Sequence, residues 1–238
     1  GTPTPVFEGA TVAIWGGVTL LAVSEQGTLV FVPGTVIRNH VMRLVDRTGR
    51  AIRQIGSART IQTGSVFSPD GQRVAVTTGE PGRIDIWLFS VASGESERFT
   101  LALAEDERPV WSPDGRTIMY TSAWSGEARR LFAKSVVERT DARLVRAWSR
   151  HVHLTSWSPD GRWLAAFDYH PTNNEDVWAI AADGRDSMAI SGSAARELNA
   201  VFSPDGGWVA YQSEESGRFE VYVVSFPSLT VKRQVSTN

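Results

Sequence analysis

Short apolar runs recur along the chain, and each of them follows the same polar turn. The runs RVAV, TIMY, WLAA and WVAY begin at residues 73, 117, 163 and 208, directly after FSPDGQ, WSPDGR, WSPDGR and FSPDGG. Short apolar runs bounded by turn residues are typical of strands, and these runs lack the clean alternation of a half-exposed strand. Proline presets φ for a type I turn, Asp suits the next position, and Gly takes the left-handed conformation that closes the turn. Each of these four SPDG motifs therefore predicts a hairpin turn that leads into a buried strand.

A second pattern, DIW, RLF, DVW or EVY, ends 17 or 18 residues after each motif Asp, at Trp87, Phe132, Trp178 and Tyr222. Turn residues such as ASGE or ADGR follow, and then a fourth run, so that each unit contains four predicted strands. The segment 125–148 is rich in good helix formers. We nevertheless expect strands there, because its residues occupy the third and fourth strand positions of a unit.

The units repeat with a regular period. The third position of the motif falls at Gln26, Asp70, Asp114, Asp160 and Asp205, with spacings of 44, 44, 46 and 45 residues, and the first of these copies, Ser24–Gly27, is degenerate. A period near 45 residues with four strands per unit is typical of propeller blades. We predict an all-β fold, a single β-propeller domain over 1–238, with antiparallel blades at about 18–56, 57–103, 104–149, 150–194 and 195–235. Residues 1–17 would form a strand of a preceding or closing blade, and both a five-bladed ring and part of a six-bladed ring are open.

Composition narrows the range of partners. The net charge of −2 offers no basic excess for nucleic acid, and the chain has no cysteine, which leaves the redox compartment open. The most apolar run, 11–23, contains two glycines and is shorter than the roughly 20 residues that span a bilayer, so we expect no direct membrane insertion. The start at GTPTPV without methionine suggests further domains in a longer natural chain.

The SPDG words and the DIW and DVW strands resemble the TolB-type, or WD40-like PD, propeller repeats. The resemblance covers about 18–235 and is closest in WSPDGRWLAAFDYHPTNNEDVWAI and FSPDGGWVAYQSEESGRFEVYVVSFP. The segments are also similar to the propeller that follows a kinase domain in some bacterial serine/threonine kinases. The resemblance implies a bacterial protein-binding or sensor module, in the periplasm or elsewhere outside the cytoplasm.

Residue types that recur in every blade are expected to build the blade. By this criterion the SPDG residues are structural: Ser68, Pro69, Asp70, Gly71, Ser112, Pro113, Asp114, Gly115, Ser158, Pro159, Asp160, Gly161, Ser203, Pro204, Asp205 and Gly206. Asp85, Asp176 and Glu220, near the start of the third strands, are interpreted in the same way.

Binding residues are instead expected at the opposite end of the blades, where unrepeated loops connect consecutive blades and join strands two and three. The candidate contacts there are Glu105, Asp106, Glu107, Arg108, Trp124, Arg130, His151, His153, His170, Asn173 and Glu175. Residues 104–109 and 168–176 are interpreted as exposed acidic loops without the regular spacing of a calcium loop. Trp124 either anchors a partner or covers its own blade.

The four histidines also map to these loops, His40 in the first unit and His151, His153 and His170 around the fourth. In an extended segment His151 and His153 would point the same way, which suits two ligands of a divalent metal, with His170 as a third. Solvated loop histidines are the simpler interpretation.

The sequence contains no motif of a hydrolase, metalloprotease, phosphate-binding or dinucleotide-binding enzyme. We therefore predict a non-catalytic binding or sensor propeller without a cofactor, whose partner is a protein, a peptide or a small ligand. One alternative is a metal-assisted hydrolase or lactonase with a site at the channel mouth. A ring that only positions a neighbouring domain is a further alternative.

Overall fold

A computed structural model describes residues 21–23, 29–31, 40–80, 83–123, 128–138, 140–170 and 174–237. The predicted strand in 1–17 and the degenerate turn at Ser24–Gly27 lie outside these ranges. Within them all regular secondary structure is β-strand, and no described helix is long and apolar enough to cross a membrane.

The strands form five four-stranded sheets, in which neighbouring strands follow one another along the chain. The first blade contains β1 (Leu21–Val23), β2 (Leu29–Phe31), β3 (His40–Val45) and β4 (Ala51–Arg59), and the second contains β5 (Ile61–Phe67), β6 (Arg73–Glu80), β7 (Arg83–Ser90) and β8 (Ser96–Arg98). The third contains β9 (Glu105–Trp111), β10 (Thr117–Ala123), β11 (Arg130–Ser135) and β12 (Arg143–Ala147). The fourth contains β13 (Val152–Trp157), β14 (Trp163–His170), β15 (Asn174–Ala181) and β16 (Ser187–Ala189). The fifth contains β17 (Glu197–Phe202), β18 (Trp208–Ser213), β19 (Glu220–Ser225) and β20 (Lys232–Gln234). The predicted all-β propeller of four-stranded antiparallel blades is confirmed.

The chain divides into two compact units, Gly1–Pro109 and Val110–Asn238. The first unit contains the first two blades, the second contains the last two, and the division falls inside β9 of the third blade.

The second strand of a blade is buried on both sides. Val74, Ala75 and Val76 of β6 are completely buried, as are Leu164 to Asp168 of β14. In the first unit Val74 and Val76 belong to an apolar core with Val30, Ile55 and Phe89. The unbroken apolar runs of the sequence therefore correspond to strands covered on both faces.

The segment that is rich in helix formers contains β11 and β12. These strands pair antiparallel, with Phe132 opposite Leu144, and β11 also pairs with β10. Leu131 is completely buried. Ladder hydrogen bonds and burial within the sheet thus override the local helix propensity.

Candidate functional site

The four SPDG turns share one set of hydrogen bonds. In the second blade Ser68 Oγ donates to Asp70 Oδ1 at 2.5 Å, and the backbone N–H groups of Gln72 and Arg73 donate to Asp70 Oδ1 and Ser68 Oγ at 3.0 and 2.9 Å. The other three turns repeat this pattern. The serine hydrogen bond lowers the pKa of the Asp carboxyl in each turn. Gly71 has a φ of 68°, which favours glycine at the closing position. The Ser and Asp side chains thus act within their own turns.

These turns define one end of each blade, which we call the turn edge. At the opposite end, the connection edge, strands two and three are joined and the chain passes to the next blade. In the first two blades this edge includes the end of β4, the start of β5, the end of β6 and the start of β7.

An open cleft of about 520 Å³ lies at the connection edge of the first unit. This volume is within the range of ligand-binding clefts in proteins. Arg83, Asp85 and Trp87 line it from alternate positions of β7, so they share one face of that strand. The remaining lining residues come from the end of β4, the residue that connects it to β5, and strands β6 and β8: Ser57, Ala58, Arg59, Thr60, Thr78, Gly79 and Arg98.

Arg59 lies against the aromatic wall of the cleft. Its guanidinium carbon is 3.9 Å from the ring centroid of Trp87 and 5.3 Å from that of Phe89, and Nη2 donates to Ser96 Oγ at 3.0 Å. Partial burial lowers the pKa of Arg59. The cation is therefore fixed in position without a compensating carboxylate in the described part of the chain.

Arg98 and Asp85 form a partly buried ion pair across β7 and β8. Arg98 Nη2 is 2.8 Å from both carboxylate oxygens of Asp85, which is 5% exposed. Arg98 Nε is buried and has no hydrogen-bond partner among the described residues. Arg83 is exposed, and its backbone pairs with that of Glu80 in the β6–β7 hairpin. Three guanidinium groups and one carboxylate thus line the cleft.

Side-chain hydrogen bonds to backbone carbonyls hold the segments around Thr60 and Gly79 in place. Thr78 Oγ1 donates to the carbonyl of Thr60 at 2.6 Å, and Gln62 Nε2 donates to the carbonyl of Gly79 at 2.8 Å. Gly79 has a φ of 143°, and a Cβ atom there would come within 2.2 Å of the Arg83 carbonyl oxygen. The close approach of β6 and β7 at this point therefore requires glycine.

In the second unit, Asp168 is completely buried at the centre of a polar cluster. Its carboxylate accepts hydrogen bonds from Trp148 Nε1 at 2.7 Å and Trp178 Nε1 at 3.1 Å, and it forms an ion pair with Arg150 Nη2 at 2.7 Å. These contacts connect the segment after β12 with strands β14 and β15. A carboxylate that is held by three donors is suited to a structural role.

Asp176 lies directly opposite Asp168 in the β14–β15 ladder. Burial raises the pKa of Asp176, and the charge of Asp168 raises it further, while His170 and Arg150 partly offset the effect. Like charges in opposite positions of neighbouring strands are destabilising. The ionised form of Asp176 is therefore stabilised by the nearby His170 and Arg150.

Two further acids of the second unit are buried with partners. Glu175 is 6% exposed and forms a bidentate pair with Arg196 at 2.8 and 3.0 Å. Glu197 is completely buried, and its Oε1 accepts hydrogen bonds from Ser191 Oγ at 2.5 Å and Ser193 Oγ at 2.7 Å. Burial raises the pKa of Glu197 despite these hydrogen bonds.

The expectation of an exposed acidic loop at residues 104–109 is wrong. Glu105, Asp106, Glu107 and Arg108 lie in β9, and Asp106 and Glu107 are only 1% and 8% exposed. Each of the four residues interacts with other groups. The first strand of the third blade begins at Glu105, earlier than the apolar pattern indicates. Its polar side chains are accommodated there because they interact with other groups of the protein.

The histidines do not lie together in loops. His153 is a buried residue of β13, and its ring stacks on Phe167 at 5.0 Å and meets Tyr169 edge-on at 5.6 Å. His151 is exposed just before that strand, and His170 ends β14. His40 is the first residue of β3. Across the described ranges no three His, Asp or Glu side chains are grouped to hold a metal ion, so His151, His153 and His170 do not form a ligand set.

Of the other candidate contacts, Trp124 and Asn173 lie outside the described residues. Arg130 is the exposed first residue of β11. Glu175 lies in β15 instead of the predicted loop, because β14 and β15 continue their ladder as far as His170 and Asn174.

The arginines of the cleft were not among the predicted contacts. Arg59, Arg83 and Arg98 come from three strands. The pairing of β7 with β8 brings Arg83 and Arg98 together, and packing between the first two blades adds Arg59. A search for basic residues at the ends of predicted strands would have found Arg59 and Arg83. The Asp85–Arg98 pair would have required the register of β7 and β8.

Comparisons with known proteins agree with this fold. Residues 37–147, which include the cleft, match the family model of the TolB beta propeller domain. The chain is 27% identical to the protein TolB homolog of Chlorobium luteolum, over 67% of this chain and 35% of that protein. It is 27% identical to the uncharacterized protein Atu1656 of Agrobacterium fabrum (65% and 52%) and 24% identical to the uncharacterized peptidase YuxL of Bacillus subtilis (62% and 28%). The chain thus spans between about a quarter and a half of the length of these relatives.

Solved structures show the same architecture. The putative TolB from Agrobacterium tumefaciens superposes with a TM-score of 0.74 at 18% identity, over 90% of this chain and 78% of that one. TolB from Acinetobacter baumannii gives 0.73 at 16% identity (89% and 53%), and an oligogalacturonate lyase in complex with manganese gives 0.66 at 15% identity (94% and 71%). The resemblance to TolB-type propeller repeats is confirmed, and the association with a kinase domain stays a prediction.

Proposed function

We propose that this chain is a non-catalytic binding module that holds a protein or peptide partner at its connection edge. The observation that carries the proposal is the open, arginine-lined cleft at that edge in the first unit. A TolB-type propeller supports a binding role in general terms. Residues on connections between rigid strands are well placed to contact a partner.

The environment of the buried acids also supports a binding role. Asp168 is held by three donors, and Glu175 by a bidentate arginine. Asp85 is paired with Arg98 inside the cleft. A general acid or base must lie within hydrogen-bond reach of the substrate atom with which it exchanges a proton. These carboxylates instead accept hydrogen bonds from donors of the protein.

The metal-assisted hydrolase or lactonase is the less favoured function. Structural neighbours include a lyase in complex with manganese, but the likeness at 15% identity extends to the fold only. His153 contacts aromatic rings, and His151 is exposed outside the strand. The proposed module requires no cofactor and acts outside the cytoplasm, a location that the TolB-type resemblance favours.

An array of immobilised peptides of varied charge tests the binding role. The wild-type chain is compared with Arg83→Glu, at the connection edge, and with Arg73→Glu, at the turn edge of the same blade. Both substitutions reverse an exposed arginine in the first unit, so they are matched in chemistry. We expect sequence-dependent binding that Arg83→Glu reduces and Arg73→Glu retains. Binding that depends only on Arg73, or chemical turnover of the peptides, would contradict the proposal.

A further inference from the structure

We propose that the arginine cleft binds the carboxylate groups of an acidic peptide segment from a protein partner. This inference rests on the proposed binding function and names the chemistry of its ligand. It follows from three properties of the cleft: a fixed cation without a carboxylate, an excess of positive charge, and the spacing of the charges along β7.

Arg59 is the first of these features. Stacking on Trp87 and the hydrogen bond to Ser96 hold its guanidinium in one position. Partial burial penalises the cation, as the lowered pKa of Arg59 indicates. A carboxylate that entered the cleft would supply the missing negative charge, and charge-assisted hydrogen bonds to arginine are among the strongest in proteins.

Arg98 is neutralised by Asp85. Its Nη2 is engaged by the Asp85 carboxylate, and its Nε is buried, so a ligand in the cleft does not reach that atom. Asp85 neutralises one of the three arginines, so Arg59 and Arg83 remain as the excess positive charge of the cleft lining. Asp85, two residues after Arg83 on β7, is the nearest acidic residue in sequence, and it is already engaged by Arg98.

The spacing of these charges favours several carboxylates on one chain over a single anion. Arg83 precedes Trp87 by four residues on β7, which corresponds to about 13 Å at about 3.3 Å per strand residue. Arg59 is stacked on Trp87, so the two basic side chains are anchored at opposite ends of this interval. An extended peptide presents alternate side chains on one side at about 7 Å intervals, and its acidic residues can therefore reach both ends. A cleft that is open to solvent also admits a peptide that continues beyond it.

Fluorescence anisotropy with labelled hexaglutamate provides the test. The titrated proteins are the wild type, Arg59→Gln, Arg83→Gln and the control Arg73→Gln, and hexaglutamine is the uncharged peptide control. We expect each cleft substitution to weaken hexaglutamate binding about tenfold, because each removes a charge-assisted contact. Arg73→Gln should change the affinity less than twofold, and added salt should weaken the binding of the wild type.

Several results would overturn the assignment: undetectable wild-type binding at millimolar peptide, equal binding of hexaglutamine, or an equal loss in Arg73→Gln. Displacement by inorganic phosphate at lower concentration than by unlabelled hexaglutamate would assign the cleft to phosphate groups instead. Arg83 is exposed, so Arg83→Gln keeps the test decisive if Arg59→Gln does not fold.

The failure of this inference differs from a failure of the proposed function. If array peptides bind in an Arg83-dependent way but hexaglutamate does not, the binding module stands and the acidic ligand is wrong. If no peptide binding depends on the connection edge, both are wrong.

Discussion

Replacing Asp168 by Asn tests whether the acids near the end of β14 and β15 are structural. Asp168 is completely buried and accepts hydrogen bonds from two tryptophans, and Arg150, whose side chain is 23% exposed, forms its ion pair. Asparagine retains one oxygen acceptor but replaces the other with an N–H donor that faces existing donors. If the amide oxygen takes the Oδ2 position, Trp178 Nε1 loses its acceptor, and if it takes the Oδ1 position, Trp148 Nε1 and Arg150 lose theirs. In both orientations Arg150 loses its counter-charge.

The expected cost follows from these contacts. Removing one partner of a buried ion pair typically costs about 3–5 kcal/mol, because the other charge remains buried. The relief of repulsion on Asp176 offsets part of this cost, since the charge of Asp168 raises the pKa of Asp176. We therefore expect Asp168→Asn to lower the free energy of unfolding by about 3 kcal/mol, or the Tm by about 6–12 °C for a chain of this size.

Urea denaturation followed by tryptophan fluorescence and by circular dichroism measures this loss. Asp183→Asn is the matched control, because the Asp183 side chain is 58% exposed and its contact with Arg185 is 3.7 Å long. The control should change stability by less than about 0.5 kcal/mol. A loss below about 1 kcal/mol in Asp168→Asn would refute the structural interpretation of the cluster.

Two further predictions concern a buried acid and a strained glycine. Glu197→Gln should raise the free energy of unfolding by about 1 kcal/mol at pH 7, because burial raises the pKa of Glu197 and so penalises its ionised form in the folded state. Below the unfolded-state pKa near 4.5, Glu197 is protonated in both states and costs the wild type nothing. The wild type becomes less stable as the pH rises through the higher folded-state pKa, so the advantage of the variant should vanish below about pH 4 in urea titrations. Gly79→Ala should cost at least about 2 kcal/mol in thermal unfolding and weaken peptide binding, since its Cβ would collide with the Arg83 carbonyl oxygen.

Matched controls accompany both variants. Glu138→Gln removes the charge of an exposed glutamate and should change the free energy of unfolding at pH 7 by less than about 0.5 kcal/mol. Gly64→Ala places a methyl group where no atom lies within 4 Å, so it should be tolerated. An unchanged pH profile for Glu197→Gln, or equal losses for the two glycine variants, would show that the assigned causes are wrong.

The repeated SPDG motif made the blade architecture predictable, because each copy marks both a hairpin turn and the start of the second strand of a blade. Ser158 and Asp160, for example, make the same contacts as Ser68 and Asp70. A local turn needs only neighbouring residues, so a single sequence can indicate it.

The location of the ends of strands was harder to predict. The polarity of Asp106 and His153 predicts loop positions, yet both residues are buried in first strands of blades. Packing between neighbouring strands provides the partners, such as Phe167 under His153, and those neighbours are distant in sequence.

The cleft required contacts between blades. Arg59 meets Trp87 and Ser96 only after β4 has packed beside the second blade. The sequence predicts binding residues at the connection edge, and this stays a prediction. The side chains that line the cleft there are identified only by the structure.

Hydrogen–deuterium exchange of the chain, alone and saturated with the tightest-binding array peptide, tests the central claim most directly. A partner at the connection edge should slow the exchange of backbone amides in 57–60 and 83–87, and leave those of the SPDG turn at 68–72 unchanged. Slower exchange at the turn edge alone, or none at the connection edge, would contradict the account.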